Sequence, residues 1–328
     1  MTISLGPHRL GPPVFLAPMA GITDLPFRRV VARFGAGLVV SEMVASEEMM
    51  TGLPEMRARA ELGLTEAATS VQIAGREAYW MAEAAKALQG QGAQIIDINM
   101  GCPAKRVTTG ACGAALMREP AHALKLIEAV VGAVSVPITL KMRLGWDRDC
   151  LNAPELAKAA EGAGIAMVTV HGRTRNQLYK GQADWAAIRA VKEAVTIPVI
   201  ANGDIVDAST ARRALALSGA DGVMVGRGAQ GAPWVLAEIA HDLHGVPAPV
   251  VPVGADLAAL VIGHYEAALG FYGRELGLRC VRKHLNWYLS RSGDPALKPR
   301  ILVEPDPAQV IRLLGEAFDG PYPESAAA

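Results

Sequence analysis

The chain has 328 residues, enough for one large α/β barrel with an appendage or for two ordinary domains. Hydrophobic residues make up 51% and aromatics only 5%, a balance dominated by Ala, Val, Leu and Ile that suits buried parallel strands covered by Ala-rich helices. Lys plus Arg and Asp plus Glu both number 32, which excludes a whole-molecule attraction to a polyanion and leaves any nucleic-acid surface to local clustering.

The opening segment MTISLGPHRLGPPVFLAPMAG is broken by Pro7, Pro12 and Pro13 and lacks the basic start and unbroken apolar core of an export signal. No apolar run approaches the roughly 18 residues that a membrane span needs. The expectation is a cytoplasmic protein with no membrane contact.

Eight short apolar runs then recur along the chain: 14–17, 38–43, 69–73, 95–99, 138–142, 167–171, 199–202 and 222–225. Between them lie Ala-rich segments of helical periodicity, among them 76–89, 114–131, 153–161, 184–194 and 207–217. GQGAQIIDI, GAGIAMVTV and SGADGVMVG each set small residues before a buried strand, as helix-to-strand turns require. Eight such units predict an α/β fold of the TIM (β/α)8 type, favoured over a doubly wound sheet, which seldom carries so many.

After Trp234 the pattern changes. Residues 244–256, with Pro247, Pro249 and Pro252, read as a linker. Beyond it, helix-spaced faces appear at Leu257 to Tyr272, Cys280 to Leu289 and Val310 to Phe318. The predicted organisation is a barrel over 1–243 and a linker with a C-terminal helical domain over 244–328.

In such a barrel the reacting groups stand at the C-terminal strand ends and in the loops beyond them. Those ends carry Pro18, Met19 and Ala20; Glu42 and Met43; Gln72; Asn99 and Cys102; Lys141 and Arg143; His171 and Arg173; Asn202, Gly203 and Asp204; Gly226 and Arg227. An unpartnered buried polar group costs about 1–3 kcal/mol, so polar residues at every strand end point to one shared cavity. Each taken singly also has an ordinary reading, such as a strand cap, a snorkelling lysine or a satisfied core histidine.

The glycines after the seventh and eighth strands allow a phosphate to approach backbone N–H groups, with tight turn chemistry as the alternative. GRGAQG at 226–231 matches a dinucleotide-binding spacing but follows the last strand and leads into no further βαβ unit, so that reading is rejected. A lysine beside the pyrimidine edge of a flavin offsets the charge of the reduced ring, and the amides of Gln72 and Asn99 suit the ring edge. Phosphate clamp and polar wall together point to FMN. Lys141 as the Schiff-base former of a lyase or isomerase is the rival.

The cysteines, Cys102, Cys112, Cys150 and Cys280, form no C-x-x-C pair and suit neither a zinc knuckle nor a short disulfide framework, so no metal is expected. Cys102 lies in a constrained turn between Gly101 and Pro103; the others read as structural.

The segments APMAGITD (17–24), NMGCPAKRV (99–107), KMRLGW (141–146), VHGRTR (170–175), IANGDI (200–205) and GVMVGRGAQGAPW (222–234) together resemble the tRNA-dihydrouridine synthases. RKHLNWYL (282–289) resembles the bacterial subgroup B, also described as nitrogen-regulation-protein-like. The resemblance implies an FMN enzyme, reduced by NADPH, that transfers hydride to C6 of a uracil in the D-loop of folded tRNA. It assigns FMN contacts to Pro18, Met19, Ala20, Gln72, Lys141, His171, Asn202, Gly203, Asp204, Gly226 and Arg227. Asn99 would hold uracil and flavin, and Cys102 would give C5 its proton, since an ordinary thiol is mostly protonated at neutral pH.

Arg143 and Arg173 are expected at the mouth, meeting tRNA phosphates. Residues 274–300 hold seven Lys and Arg against two acids, and Arg279, Arg282, Lys283 and Asn286 share one helical face opposite the apolar stripe. With Lys105 and Arg106 they are the predicted tRNA grip, making phosphate contacts that position without reading sequence. No obligate protein partner is evident. A dehydrogenase of free pyrimidines would share barrel and flavin but would not need the basic appendage. A tRNA-binding regulator without turnover would not need Cys102.

Overall fold

The computed structural model describes residues 1–52, 61 and 68–319. They form two compact units: Met1–Gly228 with Val235–Pro247, and Ala229–Trp234 with the chain from Ala248 onward. The final residues of the predicted helical domain, 320–328, lie outside the described residues.

The first unit is a TIM barrel. Its strands are β3 (Val14–Leu16), β4 (Leu38–Ala45), β5 (Thr69–Ala74), β6 (Ile95–Met100), β7 (Ile138–Arg143), β8 (Met167–His171), β9 (Val199–Asn202) and β10 (Gly222–Val225). They pair in parallel in chain order, and β10 closes on β3. All eight predicted runs are strands of this sheet.

Closure explains the residue pattern within each strand. Side chains two apart share a face, so Ile96, Ile98 and Met100, Leu140 and Met142, and Val168 and Val170 turn toward the surrounding helices, all fully buried. The alternate set faces the barrel interior, running from apolar to polar along the strand: Ile95, Asp97, Asn99 on β6 and Met167, Thr169, His171 on β8. Register sets Gln72 beside Asp97, Asn99 beside Lys141, and Arg143 beside His171. Polar side chains thus gather at the C-terminal end.

The opposite end is plugged. A short hairpin absent from the sequence expectations, β1 (Ile3–Leu5) with β2 (His8–Leu10), packs Ile3, Leu5 and Leu10 against Phe15, Leu38, Ile95, Met167 and Ile200. Three-residue strands are too short to announce themselves by alternation.

The helices follow the Ala-rich segments with two adjustments. The run predicted at 114–131 splits into a 3₁₀ turn at Gly113–Arg118 and a helix at Pro120–Ala133. Proline at the first helical position disfavours helical backbone at the residue before it, and Glu119 sits at φ −128°, ψ 65°. The segment 184–194 becomes helical only from Ile188, because Asp184 gives its N–H to the Gly172 carbonyl while its carboxylate accepts from the Ala187 N–H at 3.0 Å. Elsewhere the local signals act directly: Asp207 and Thr210 form a capping box at the start of Ala208–Ser218, and Gly219 ends it at φ +67°.

The second unit is helical: Gly254–Tyr272, Arg274–Ser292, Lys298–Val303 and Pro307–Phe318. Its buried stripe comprises Leu257, Val261, His264, Tyr265, Val281, His284, Leu285, Tyr288, Val310 and Phe318, as the periodicity predicts. Residues 245–253 carry no helix or strand. The short segment Ala229–Trp234 clusters with these helices, Gly231 (φ +70°) lying against the Trp287 backbone where a Cβ would come within 2.7 Å. Among the described residues no helix is long and apolar enough to cross a membrane.

Truncating a plug residue leaves a cavity that the closed sheet cannot collapse into. Leu10→Ala should lower the unfolding free energy by about 2–5 kcal/mol, read from urea denaturation at fixed pH.

Candidate active site

Four groups of side chains meet at the polar end of the barrel. The first is a chain of hydrogen bonds crossing β5, β6 and β7. Thr139 Oγ1 donates to Asp97 Oδ1 at 2.5 Å, Gln72 Nε2 donates to Asp97 Oδ2 at 2.7 Å, and Asn99 Nδ2 donates to Gln72 Oε1 at 2.7 Å. Burial pushes the Asp97 carboxyl up, while the hydrogen bonds from Thr139 and Gln72 and the charge of Lys141 draw it back.

The second group holds the turn carrying Cys102. Asn99 Oδ1 accepts from the N–H of Gly101 at 3.1 Å and of Cys102 at 2.9 Å; Arg143 Nε donates to the Gly101 carbonyl at 2.8 Å; and the Cys102 carbonyl accepts from Ala114 N–H at 3.0 Å. Held from both strands and from the 3₁₀ turn, the half-buried Cys102 stands just beyond the C-terminal end of β6. Cys112 and Cys150 contact backbone carbonyls instead, of Gly110 at 3.3 Å and Met117 at 3.9 Å, and burial pushes the Cys112 thiol up.

Lys141 forms the third group with Asn202. Its Nζ reaches past β8 to Asn202 Oδ1 at 3.1 Å, and Asn202 Nδ2 donates to the Met224 carbonyl at 2.8 Å. Burial, reinforced by Arg143, pulls the Lys141 ammonium down to about 8, against the charge of Asp97.

The fourth group is a cationic cluster around His171. Arg173 donates to Asp204 through two nitrogens, at 2.9 and 2.5 Å, and Arg227 adds a contact to Asp204 at 3.2 Å. Burial pushes the Asp204 carboxyl up, but the hydrogen bonds from Arg173 and Ala183 N–H and the charges of Arg173 and Arg227 outweigh it and hold the group below its ordinary value. Gly203 (φ +111°) has no room for a side chain: a Cβ would lie 2.8 Å from His171 Cδ2. Its carbonyl accepts from Trp185 Nε1 at 2.8 Å.

The expected site residues of the barrel are therefore largely together, and two of them require correction. Arg143 and Arg173, expected at the mouth to meet phosphates, are each only 1% exposed. Arg143 spends its guanidinium on the carbonyls of Gly101, Thr174 and Leu178, and Arg173 on Asp204, Lys180 and Gly181. They brace loops. Burial lowers Arg143 to about 10, which leaves it a cation. Pro18 and Met19 are half-buried and Ala20 exposed, with Met19 Sδ 3.6 Å from where a Gly226 Cβ would stand. Lys105 and Arg106 are exposed on the short helix Lys105–Thr108 after Cys102. Arg279, Arg282 and Lys283 share one helix of the second unit, Arg279 exposed and the other two half-buried.

A family model described as "Dihydrouridine synthase (Dus)" matches residues 15–300, spanning barrel and helical unit alike. The chain belongs to the dihydrouridine synthase family. Members of this family are oxidoreductases, and the chain is an enzyme of that kind. A "Probable tRNA-dihydrouridine synthase" of Rhodobacter capsulatus is 64% identical over 97% of this chain and 98% of that protein. A "tRNA-dihydrouridine synthase B" of Pseudomonas aeruginosa is 47% identical over 88% of this chain and 87% of its own. Among solved structures, histamine dehydrogenase from Rhizobium sp. 4-9 aligns with TM-score 0.58 at 12% identity, covering 81% of this chain and 50% of that one. Morphinone reductase aligns with TM-score 0.55 at 13% identity, covering 71% and 88%. These two likenesses concern the fold alone.

Two residues of the synthase site escape the sequence reading. Asp97 lies inside the run IIDIN; its signal was an acid on the same face as Asn99. Tyr179, 55% exposed in the loop after β8, places its ring 5.6 Å from the Arg143 guanidinium, 5.2 Å from that of Arg227 and 6.3 Å from the His171 ring. An aromatic eight residues beyond a strand end carries no periodic signal at all.

His171 is held neutral. Burial, then the charges of Lys141, Arg143, Arg173 and Arg227, lower it well below its ordinary value, and Arg173, a donor only, faces Nε2 at 3.3 Å, so that nitrogen must be the acceptor. Below about pH 6.5 the unfolded chain takes up a proton that the folded barrel refuses, so this residue's contribution to stability is lost as pH falls. The His171 ring resonances should show the neutral form throughout an NMR titration from about pH 7.5 to 5.5.

Proposed function

We propose that this synthase is FMN-dependent and NADPH-driven and reduces the 5,6 double bond of a D-loop uridine in tRNA, with Cys102 giving the proton to C5. The observation that carries the reading is the pinned Cys102 turn, set by Asn99 at the polar end of the barrel, the end that also holds Lys141, Gln72 and the glycine loops after β9 and β10. The relatives named as tRNA-dihydrouridine synthases support it.

The residues present fit the cofactor. At Gly226 a Cβ would meet nothing closer than Met19 Sδ at 3.6 Å and Ala17 Cβ at 3.7 Å, which leaves the loops after β3 and β10 open for a phosphate beside Arg227. Gln72, Lys141, His171, Asn202, Gly203, Asp204, Gly226 and Arg227, with Pro18, Met19 and Ala20, are the proposed FMN contacts, Asp204 through its backbone because its carboxylate is engaged by arginines. When bound and reduced, FMN supplies hydride to C6 of the uracil.

The chain's own residues do the rest. The Lys141 ammonium offsets negative charge on the pyrimidine edge of the ring. Asn99 orients the uracil, and the Cys102 Sγ–H transfers its proton to C5, quenching the enolate-like charge that forms there. Arg279, Arg282 and Lys283 on the helical unit, and Lys105 and Arg106 on the barrel, grip tRNA phosphates while the target base leaves its stack.

Cys102→Ala should keep FMN absorbance and tRNA affinity while dihydrouridine formation, followed by mass spectrometry of an unmodified transcript, falls at least about 100-fold; full activity refutes the general-acid role. Reversing Arg282 and Lys283 together to Glu should raise the KM for tRNA and flatten the dependence of binding on salt, with the flavin spectrum unchanged.

A further inference from the structure

The chain of hydrogen bonds that begins at Asp97 has a direction, and that direction ends at the Cys102 turn. An ionised carboxylate can only accept, so Gln72 must present Nε2 to it, at 2.7 Å. Gln72 Oε1 is then forced to the other side, where it accepts from Asn99 Nδ2, also at 2.7 Å. Asn99 must in turn aim Oδ1 away from Gln72, and that oxygen accepts from the N–H groups of Gly101 and Cys102. Thr139 Oγ1 fills the remaining side of the carboxylate. Asp97 is 4% exposed, Gln72 1% and Asn99 7%, so water does not compete for any of these bonds.

Gln72 and Asn99 carry no charge, and the direction of their amides is set from the two ends of the chain: the Asp97 carboxylate can only accept and the N–H groups of Gly101 and Cys102 can only donate. We propose that Asp97 is a positioning residue of the reaction: its carboxylate anchors the far end of the Asp97–Gln72–Asn99 chain, reinforcing the polarity that the turn's N–H groups require, and thereby holds where the Cys102 thiol stands. The assignment rests on the reading of Cys102 as proton donor. It adds a residue that acts through Gln72 and Asn99 rather than by touching the substrate.

Asparagine is isosteric with aspartate but offers both a donor and an acceptor, so Asp97→Asn removes the carboxylate's share of the enforcement, leaving only the turn's N–H groups, without emptying the site. In the holoenzyme this variant should keep its KM for tRNA, while kcat falls about tenfold, the size of one weakened charge-assisted hydrogen bond. Alkylation of Cys102 by iodoacetamide, followed by mass mapping of the peptide that contains it, should accelerate at least about threefold, as loss of one net hydrogen bond to the turn allows. The double variant Asp97→Asn with Gln72→Glu moves the carboxylate one step along the chain. The carboxylate now at position 72 can only accept, from the amide now at position 97 and from Asn99, which restores the aim of Asn99 Oδ1. Cys102 alkylation should then return to the wild-type rate.

A role in packing alone predicts no such rescue. Wild-type alkylation and kcat in Asp97→Asn, or a folded double variant that alkylates as fast as the single one, overturns the proposal. Should Asp97→Asn fail to melt cooperatively, the double variant decides: folded with wild-type alkylation supports it, folded with fast alkylation overturns it. Alkylation needs no turnover, so an inactive or fully active Cys102→Ala judges the proton-donor reading separately.

Discussion

Closing eight parallel strands on themselves forces every second residue of every strand into one interior, and the composition of that interior governs everything else in the barrel. Its lower part is hydrocarbon, plugged by Ile3, Leu5 and Leu10. Its upper part holds Asp97, Lys141, Arg143, Arg173 and His171, nearly all removed from water. Moving an ion out of water costs several kcal/mol even after relaxation, so none of these charges is tolerable unless its neighbours are prearranged. They are: Lys141 has Asn202, Arg173 has Asp204, Asp97 has Thr139 and Gln72, and Arg143 has three carbonyls.

That satisfaction ties the loops to the strands. Arg143 leaves β7 and binds the turn after β6 and the loop after β8, while Arg173 in the loop after β8 grips Asp204 after β9. Loops that would otherwise move independently are thus coupled through guanidinium groups rooted at the top of the barrel. The correction to their expected role follows from the same physics. A buried arginine already sharing its donors among carbonyls and a carboxylate has little left for an RNA phosphate, whereas Lys105 and Arg106, exposed on their short helix, do.

The sequence disclosed the barrel because its signal is additive: eight runs, each weak, repeat at regular spacing, and small residues mark the turns before three of them. It disclosed much of the polar end of the barrel for a related reason, since Gln72, Asn99, Lys141, His171 and Asn202 are polar residues ending apolar runs. What it hid has no periodicity. The β1–β2 hairpin is too short to alternate, Tyr179 hangs in an irregular loop, and the break at Glu119 depends on the proline that follows. Asp97 is the instructive case. An acid two positions before Asn99 was visible as a letter, but its meaning lies in the direction of hydrogen bonds to residues 25 and 42 positions away, which only the closed sheet brings together.

The charges at the cavity also bear on which ligand it favours. Around His171 stand Lys141, Arg143, Arg173 and Arg227, and the same surroundings depress both His171 and Lys141. Asp97 and Asp204 offset only part of that positive field, and each is already bound by hydrogen bonds. A neutral ligand would leave the imbalance in place. An anionic ligand entering beside Arg227 and the Gly203 and Gly226 loops relieves it, and its negative charge favours the protonated form of Lys141. The electrostatics that make this gathering of cations costly are therefore those that the proposed phosphate-bearing cofactor would relieve, and the neutral His171, held at Nε2 by Arg173, adds no fifth positive charge to the four it faces.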